Sequence, residues 1–470
     1  MSKKPPMALS ADPPWADKIR FFFQFERLNT NYRTEILAGI TTFITIAPFL
    51  LVNANLLSNA VFIREPGDLF GQILVAIALS AALVTALLGS ITNYPIALLP
   101  GTGLIALFVF SIVKTMQLPW QLALSAVFIQ GLLFTGLSFS RFRHQIIQAV
   151  PASIREATVA GIGMFIAYVG LSGDPHSPTL GAGIIVADAA TKTALGSLGE
   201  PATLLAIAGL LLTAGLMVRQ VNGAMLWGVL ATAILGWLLH IAPLPQGIFS
   251  IPEYPNQLMG AALNGFQLLT WQHLGNFVAA ILILFFVSVS DTIGAFTGLA
   301  QQSGRMFSKG RLAKDSQFLQ VNAVGTTVGA LMGMPSFVPY LESASGIAVG
   351  GRSGFSSLLV SGLFLVFIWF TPLFAAIPMF ATAAPLILVG MLMMGTVRNI
   401  DWSDWTEAIP AFLMILTMPL TFSIADGLAI GFISHALLKL FQNNLRALKR
   451  IEVGLAIASL AYFVLMTLEL

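Results

Sequence analysis

The chain has 470 residues, of which 57% are hydrophobic and only 9% charged, with a mean hydropathy of +0.86. Soluble domains carry roughly a quarter charged residues, so most of this chain must face lipid or buried protein. The absence of cysteine excludes disulfides, thiolate metal sites and cysteine nucleophiles. A net charge of +3 spread over the connections offers no nucleic-acid patch.

Residues 1–34 are polar and basic and lead into no short apolar run with a small-residue cleavage site, so we expect a cytoplasmic leader and no signal peptide. Its aromatic patch, Phe21-Phe22-Phe23, suits either the membrane surface or a loosely ordered tail. Windows of about 20 apolar residues then predict fourteen spans. They lie near 35–57, 70–91, 95–113, 120–137, 153–171, 201–218, 222–242, 273–299, 319–334, 336–350, 354–373, 380–396, 406–424 and 426–442. A last apolar stretch, 453–468, reads as an interfacial helix or a short fifteenth element.

Charge sorts consistently with fourteen crossings. Of the 23 basic residues, all but Arg64, Lys114 and Lys192 fall on the leader's side. By the positive-inside rule both termini are then cytoplasmic, and in a bacterial cell the protein sits in the inner membrane.

Two spans are interrupted. The third runs from Asn93-Tyr94-Pro95 to Pro100-Gly101-Thr102-Gly103, and the tenth from Pro335-Ser336 through Pro339-Tyr340-Leu341-Glu342 to Ser345-Gly346. Each has an extended stretch, then Pro or Gly, then small residues able to start a half-helix. They occupy matching positions in the two halves, as in transporters built from inverted repeats, and seven spans per half forces the halves to be inverted. Extended backbone at mid-membrane is tolerated only where protein buries it or where it lines a wet cavity. The fold expected is an all-α polytopic membrane protein with a 7+7 inverted repeat.

Nearly all of the 20 acidic residues lie in the leader, connections or span ends; Asp291 in span eight and Glu342 at the break in span ten do not. A carboxylate at that depth costs a few kcal/mol and marks a substrate or proton path. No basic residue lies deep in a span to neutralise them, so both are candidates for substrate binding and proton coupling. Asn53 reads as polar glue or a site neighbour, and His435 as packing rather than a proton relay. Arg352-Ser353-Gly354 reads as a topology anchor. Asp401, Asp404 and Glu407, with Trp402 and Trp405, read as a solvated interfacial connection. No HExxH, P-loop or GxSxG motif is present, and no catalytic or metal-binding constellation emerges.

Several runs resemble the adenine/guanine/hypoxanthine permease branch of the nucleobase–cation symporter-2 (xanthine/uracil permease) family. They are Arg33-Thr34-Glu35 through Phe43-Ile44-Thr45, Asn93-Tyr94-Pro95-Ile96-Ala97, Asp291-Thr292-Ile293-Gly294, Tyr340 to Gly346, and Gly350-Gly351-Arg352-Ser353-Gly354. Ala408-Ile409-Pro410-Ala411-Phe412 and Pro419 to Ile424 also match, so the likeness spans about 30–442. It implies a core domain from 35–137 and 273–379, a gate domain from 138–272 and 380–442, and a tail at 443–470. It implies a small-molecule nucleobase, purine-type, bound between the short strands of spans three and ten and cotransported with a proton, with no other cofactor. A homodimer in the lipid bilayer is implied as well. Glu342 would accept hydrogen bonds from base N–H groups, Asp291 would serve binding or proton coupling, and backbone around Tyr340 and Leu341 would meet the base edge.

The sequence departs from that branch near the expected site. Ser288 stands where Asp is usual, Ala295 where Thr is, Ile105 where Asn is and Thr102 where Met is; Pro48 replaces Tyr and Pro339 replaces Thr. Lost polar groups change which base edges are satisfied. Two other readings remain open: an anion carrier for sulfate or bicarbonate of the same architecture, which two carboxylates and no basic residue disfavour, and an intramembrane aspartyl enzyme, whose motifs are missing.

Overall fold

The structure, a computed structural model, describes residues 14–140, 151–173, 181–303, 307–308, 311–312, 315–442 and 450–468. Of the basic residues sorted above, Lys3, Lys4, Arg141, Arg143, Arg305, Lys309, Lys314, Arg446 and Lys449 lie outside them.

Nine helices among the described residues are individually long and apolar enough to cross a membrane. They are spans one (Tyr32–Ser58), two (Phe70–Thr92), four (Trp120–Phe139), five (Ala152–Leu171), six (Pro201–Val218), eight (Trp271–Phe296), eleven (Gly354–Ala375), twelve (Met379–Asn399) and fourteen (Ile424–Phe441). The other five expected spans are shorter or broken. Span seven is Ala224–Leu238, span nine Asp315–Leu331 and span thirteen Trp405–Thr421. Span three is the strand Leu98–Pro100, the helix Thr102–Ala106 and a π-helix Leu107–Thr115, and span ten is the strand Phe337–Pro339 and the helix Ser343–Val349. The apolar runs thus become helices, because lipid leaves the backbone no other partner than itself. The extended exceptions pair with each other.

The two strands form an antiparallel ladder with Leu99 opposite Val338. The bonds at its two ends match: Gly101 N–H donates to the Ser336 carbonyl and Tyr340 N–H to the Ala97 carbonyl, both at 3.1 Å. The first N–H of each strand is held by a threonine of the preceding helix. Leu98 donates to Thr85 Oγ1 at 3.0 Å and Phe337 to Thr326 Oγ1 at 3.1 Å. Spans two and nine therefore play one role in opposite orientations.

Backbone contacts repeat the pattern. A Cβ on Gly163 of span five would lie 2.7 Å from the Gly390 carbonyl of span twelve, and one on Gly390 would lie 2.3 Å from that of Gly163. A pair of glycines facing each other reciprocally at equivalent positions is what a two-fold axis through the 7+7 repeat requires. The fold is the all-α inverted repeat read from the sequence.

Two regions that the sequence left open gain detail. The C-terminal stretch is a helix, Arg450–Leu468, packed on spans eight and fourteen. In the leader, Phe21 and Phe22 are exposed, but Phe23 is buried with Phe25 against Phe355, so the aromatic patch is split.

Candidate functional site

Antiparallel pairing sets the starts of the two half-helices at opposite ends of a three-residue ladder, about 10 Å apart at ~3.3 Å per residue. Polar side chains converge there. Asn53 of span one donates from Nδ2 to the Pro100 carbonyl at 2.9 Å and to the Tyr340 hydroxyl at 3.0 Å, and accepts from Thr102 Oγ1 at 2.9 Å. The Tyr340 hydroxyl donates to the Pro100 carbonyl at 3.0 Å and lies 3.0 Å from Thr102 Oγ1. Asn53 thus bridges span one to the two half-spans. The triad it forms with Thr102 and Tyr340 ties span one to both half-spans, and all three side chains are buried.

The backbone of Tyr340 is spent. Its N–H belongs to the ladder and its carbonyl accepts from Ser343 N–H at 3.0 Å. The N–H groups of Leu341 and Glu342 have no backbone carbonyl partner among the described residues. The Glu342 N–H hydrogen-bonds its own carboxylate, so the turn from Tyr340 to Glu342 offers the Leu341 N–H and one carboxylate, with the Leu341 side chain half exposed.

Span eight runs past this turn and packs against the strand and helix of span ten. Ser288, Asp291 and Ala295 lie three and four residues apart, on one helical face. Ser288 and Ala295 are buried, Asp291 is half-buried, and the Ser288 hydroxyl is buried with no hydrogen-bond partner. Leu341 reaches over Gly298, one turn further along: a Cβ there would lie 3.5 Å from its Cδ2. Both Asp291 and Glu342 are close enough to Tyr340 to act electrostatically on its phenol. Neither carboxylate is in an ion pair among the described residues, where the ion pairs all involve Asp404 or Glu407. No group of three or more His, Cys, Asp or Glu side chains able to hold a metal occurs among the described residues.

Sequence reasoning missed Glu35. It sits at a span end, where an acidic residue signals nothing, yet it is wholly buried. Oε1 accepts from Thr30 Oγ1 at 2.7 Å and from Arg352 N–H at 2.9 Å; Oε2 accepts from Ser353 N–H at 3.4 Å and from the Ser356 hydroxyl. The carboxylate thus holds the two residues leading into span eleven, whose N-cap is Ser353, and sits as an anion at that helix N-terminus. The Arg352 guanidinium turns the other way, donating from Nη1 to the carbonyls of Ile347 at 2.6 Å and Gly351 at 2.7 Å at the end of the span-ten helix. Arg352-Ser353-Gly354, read as a topology anchor, is a double cap that fixes the helix whose other end bears Glu342.

A second correction concerns Glu407. It is half-buried rather than solvated, and meets Lys439 at 2.8 Å, His435 at 3.4 Å and the Ser153 hydroxyl. Asp401 is exposed, as expected; hydrogen bonds from the Ser403 hydroxyl and N–H hold its carboxyl below the usual range.

These interrupted spans occur in a chain that a permease family model matches over residues 33–430. The chain belongs to this permease family. A permease of Methanocaldococcus jannaschii is 43% identical over 94% of this chain and 97% of its own length. The guanine/hypoxanthine permease PbuG of Bacillus subtilis is 37% identical over 95% of this chain and 99% of its own. The adenine permease AdeP of Escherichia coli is 34% identical over 91% of each. Among solved structures, the transmembrane domain of a cyanobacterial bicarbonate transporter, BicA, superposes with a TM-score of 0.60 at 15% identity, over 85% of this chain and 97% of that one. That likeness carries the fold alone. The chain is a multi-pass membrane permease, a transporter rather than an enzyme.

Proposed function

We propose that this permease carries a nucleobase, purine-type, by proton symport. One observation carries the reading: two half-buried carboxylates, Asp291 on span eight and Glu342 in the turn after Tyr340, both lie close to Tyr340, and neither is in an ion pair among the described residues. A neutral base with several N–H donors satisfies such groups, whereas an anion would be repelled by them. The named purine permeases among the relatives support the substrate class.

In this reading Glu342 accepts from base N–H groups, while the Leu341 N–H meets an acceptor on the base edge. Asp291 takes part in binding or carries the coupled proton, with Ser288 and Ala295 beside it. Tyr340, Thr102 and Asn53 hold the two half-spans in register behind the base. Spans one to four and eight to eleven (35–137 and 273–379) form a core that moves against a gate of spans five to seven and twelve to fourteen (138–272 and 380–442). The protein works as a homodimer in the plasma membrane with both termini cytoplasmic, a placement the sorting of basic residues supports.

The test is uptake of labelled adenine, guanine, hypoxanthine, xanthine and uracil into cells or vesicles bearing the wild type, Glu342→Gln or Asp291→Asn. Saturable purine uptake that a protonophore abolishes and both variants lose supports the proposal. Uptake of sulfate or bicarbonate with none of any base overturns it.

A further inference from the structure

A slot of about 230 Å³ lies between span eight, span fourteen and the C-terminal helix, away from the carboxylate site. Its wall on span eight is Gly275, Val278, Leu282 and Phe286, one helical face at three- and four-residue spacing. That face is about 16 Å long at ~1.5 Å per residue. Span fourteen contributes a face from Ala425 to Phe432, and the C-terminal helix one from Leu455 to Tyr462. All three walls run along helix axes, so the slot is long and narrow and follows the direction of the spans.

Its chemistry is almost wholly apolar. The polar side chains on its wall are Ser459 and Tyr462, and the Tyr462 hydroxyl is already committed to Asp426 Oδ1 at 2.8 Å. Water needs two to four polar partners, and a base would leave its edges unpaired there. Val278 and Leu282 on the rim are 47% and 42% exposed. They join the exposed Leu274, Ile457 and Leu460 in the apolar surface that these spans turn to lipid. The slot therefore opens on the hydrocarbon.

We propose that this slot is a binding site for one acyl chain of a membrane phospholipid, seated between spans eight and fourteen. The C-terminal helix, which lies beyond the 33–430 stretch matched by the family model, forms its outer wall, held by the Tyr462–Asp426 bond. The occupied slot fills space between these two spans that protein atoms leave empty. It touches span eight five residues before Asp291, so the lipid packs on the helix that bears a site carboxylate.

The test uses the full chain in phosphatidylcholine vesicles doped with a phosphatidylcholine that carries a diazirine on one acyl chain. After photolysis, adducts are mapped by mass spectrometry. We expect them to concentrate on slot-facing residues such as Leu282, Leu455 and Ala458, above the outward-facing Ile457 and Leu460. Ala458→Phe fills the slot from one wall and Gly275→Leu from the opposite one. Either variant, eluting as the wild type does, should lower slot adducts about tenfold and leave those on Ile457 and Leu460 unchanged. Adducts no denser in the slot than on the outward face, or unaffected by both variants, overturn the proposal.

Discussion

In span three the strand Leu98–Pro100 leads into a helix headed by Gly101 and Thr102; in span ten the strand Phe337–Pro339 leads through Tyr340 and Leu341 to Glu342 and its helix. The backbone is treated alike in both. Each strand is anchored by a threonine of the preceding helix, and each is followed by an N–H that reaches the other strand's leading carbonyl. The side chains are not alike. Thr102 is consumed in the triad with Asn53 and Tyr340, while the Glu342 carboxylate takes part in no ion pair among the described residues. The crossing therefore stands on matched backbone bonds, and the charge on one side is an addition the fold does not require. Glu35 makes the same point from the other direction: it is more deeply buried than Glu342, but its donors account for it. Burial alone therefore does not single out a carboxylate for function, since Glu35 is buried with its partners inside the fold.

The largest effect should come from removing that added charge. Glu342→Gln exchanges charge-assisted hydrogen bonds to a base for neutral ones and turns one acceptor into a donor facing N–H groups. A loss of about 2–3 kcal/mol corresponds to roughly a hundredfold fall in uptake efficiency, with protein in the membrane unchanged. The matched substitution in span three, Thr102→Val, should cost only a few-fold, since Asn53 and Tyr340 still bond each other and the Pro100 carbonyl. Equal losses from the two variants, measured as uptake per protein at the membrane, would break the comparison.

Next is Glu35→Ala, which strips partners from two backbone N–H groups and two hydroxyls at once. We expect a stability loss of about 2 kcal/mol, read as a fall in melting temperature. Glu35→Gln keeps one acceptor oxygen and should lose less stability. If the cap fixes the helix bearing Glu342, Glu35→Gln should also raise KM for the base, a change that loss of stability alone does not produce.

How far the sequence carried each of these features depends on whether a residue type announces its local geometry. Pro95, Pro100 and Gly101, and then Pro335 and Pro339, punctuate apolar runs, and such punctuation is a backbone signal that needs no tertiary partner to be read. The carboxylates Asp291 and Glu342 were legible for the same reason, standing in windows where charge is rare. Glu35 was not, because its meaning comes from the 352–356 segment more than three hundred residues away. The π-helix Leu107–Thr115 carries no mark in its composition, and neither does the docking of the C-terminal helix, which depends on the faces of two other spans. Phe23 was placed with its neighbours Phe21 and Phe22 because only Phe355, distant in sequence, distinguishes it.

A smaller effect tests the symmetry itself. Thr85→Val and Thr326→Val each remove a hydroxyl from the first N–H of a strand. If spans two and nine play equivalent parts, both variants should lose about 1–2 kcal/mol. A deficit on one side only, in paired thermal-shift measurements, would show that the ladder is carried mainly by one half.

The smallest effect belongs to the charged cluster on spans thirteen and fourteen. Lys439 meets Glu407 at 2.8 Å and Asp404 at 3.6 Å, and donates to Thr406 Oγ1 at 2.6 Å. Asp404 keeps its own hydrogen bonds from Thr406, which hold its carboxyl below the usual range whether or not Lys439 is there. Glu407 retains His435 and Ser153. Lys439→Met preserves the aliphatic stem and should cost about 1 kcal/mol or less, with uptake unaltered. The contrast with Glu342 is direct: both clusters place carboxylates on spans, but here a base answers them within the protein. Uptake that falls with Lys439→Met while the melting temperature holds would make the cluster part of the transport path, and His435 would then be a relay rather than a packing residue.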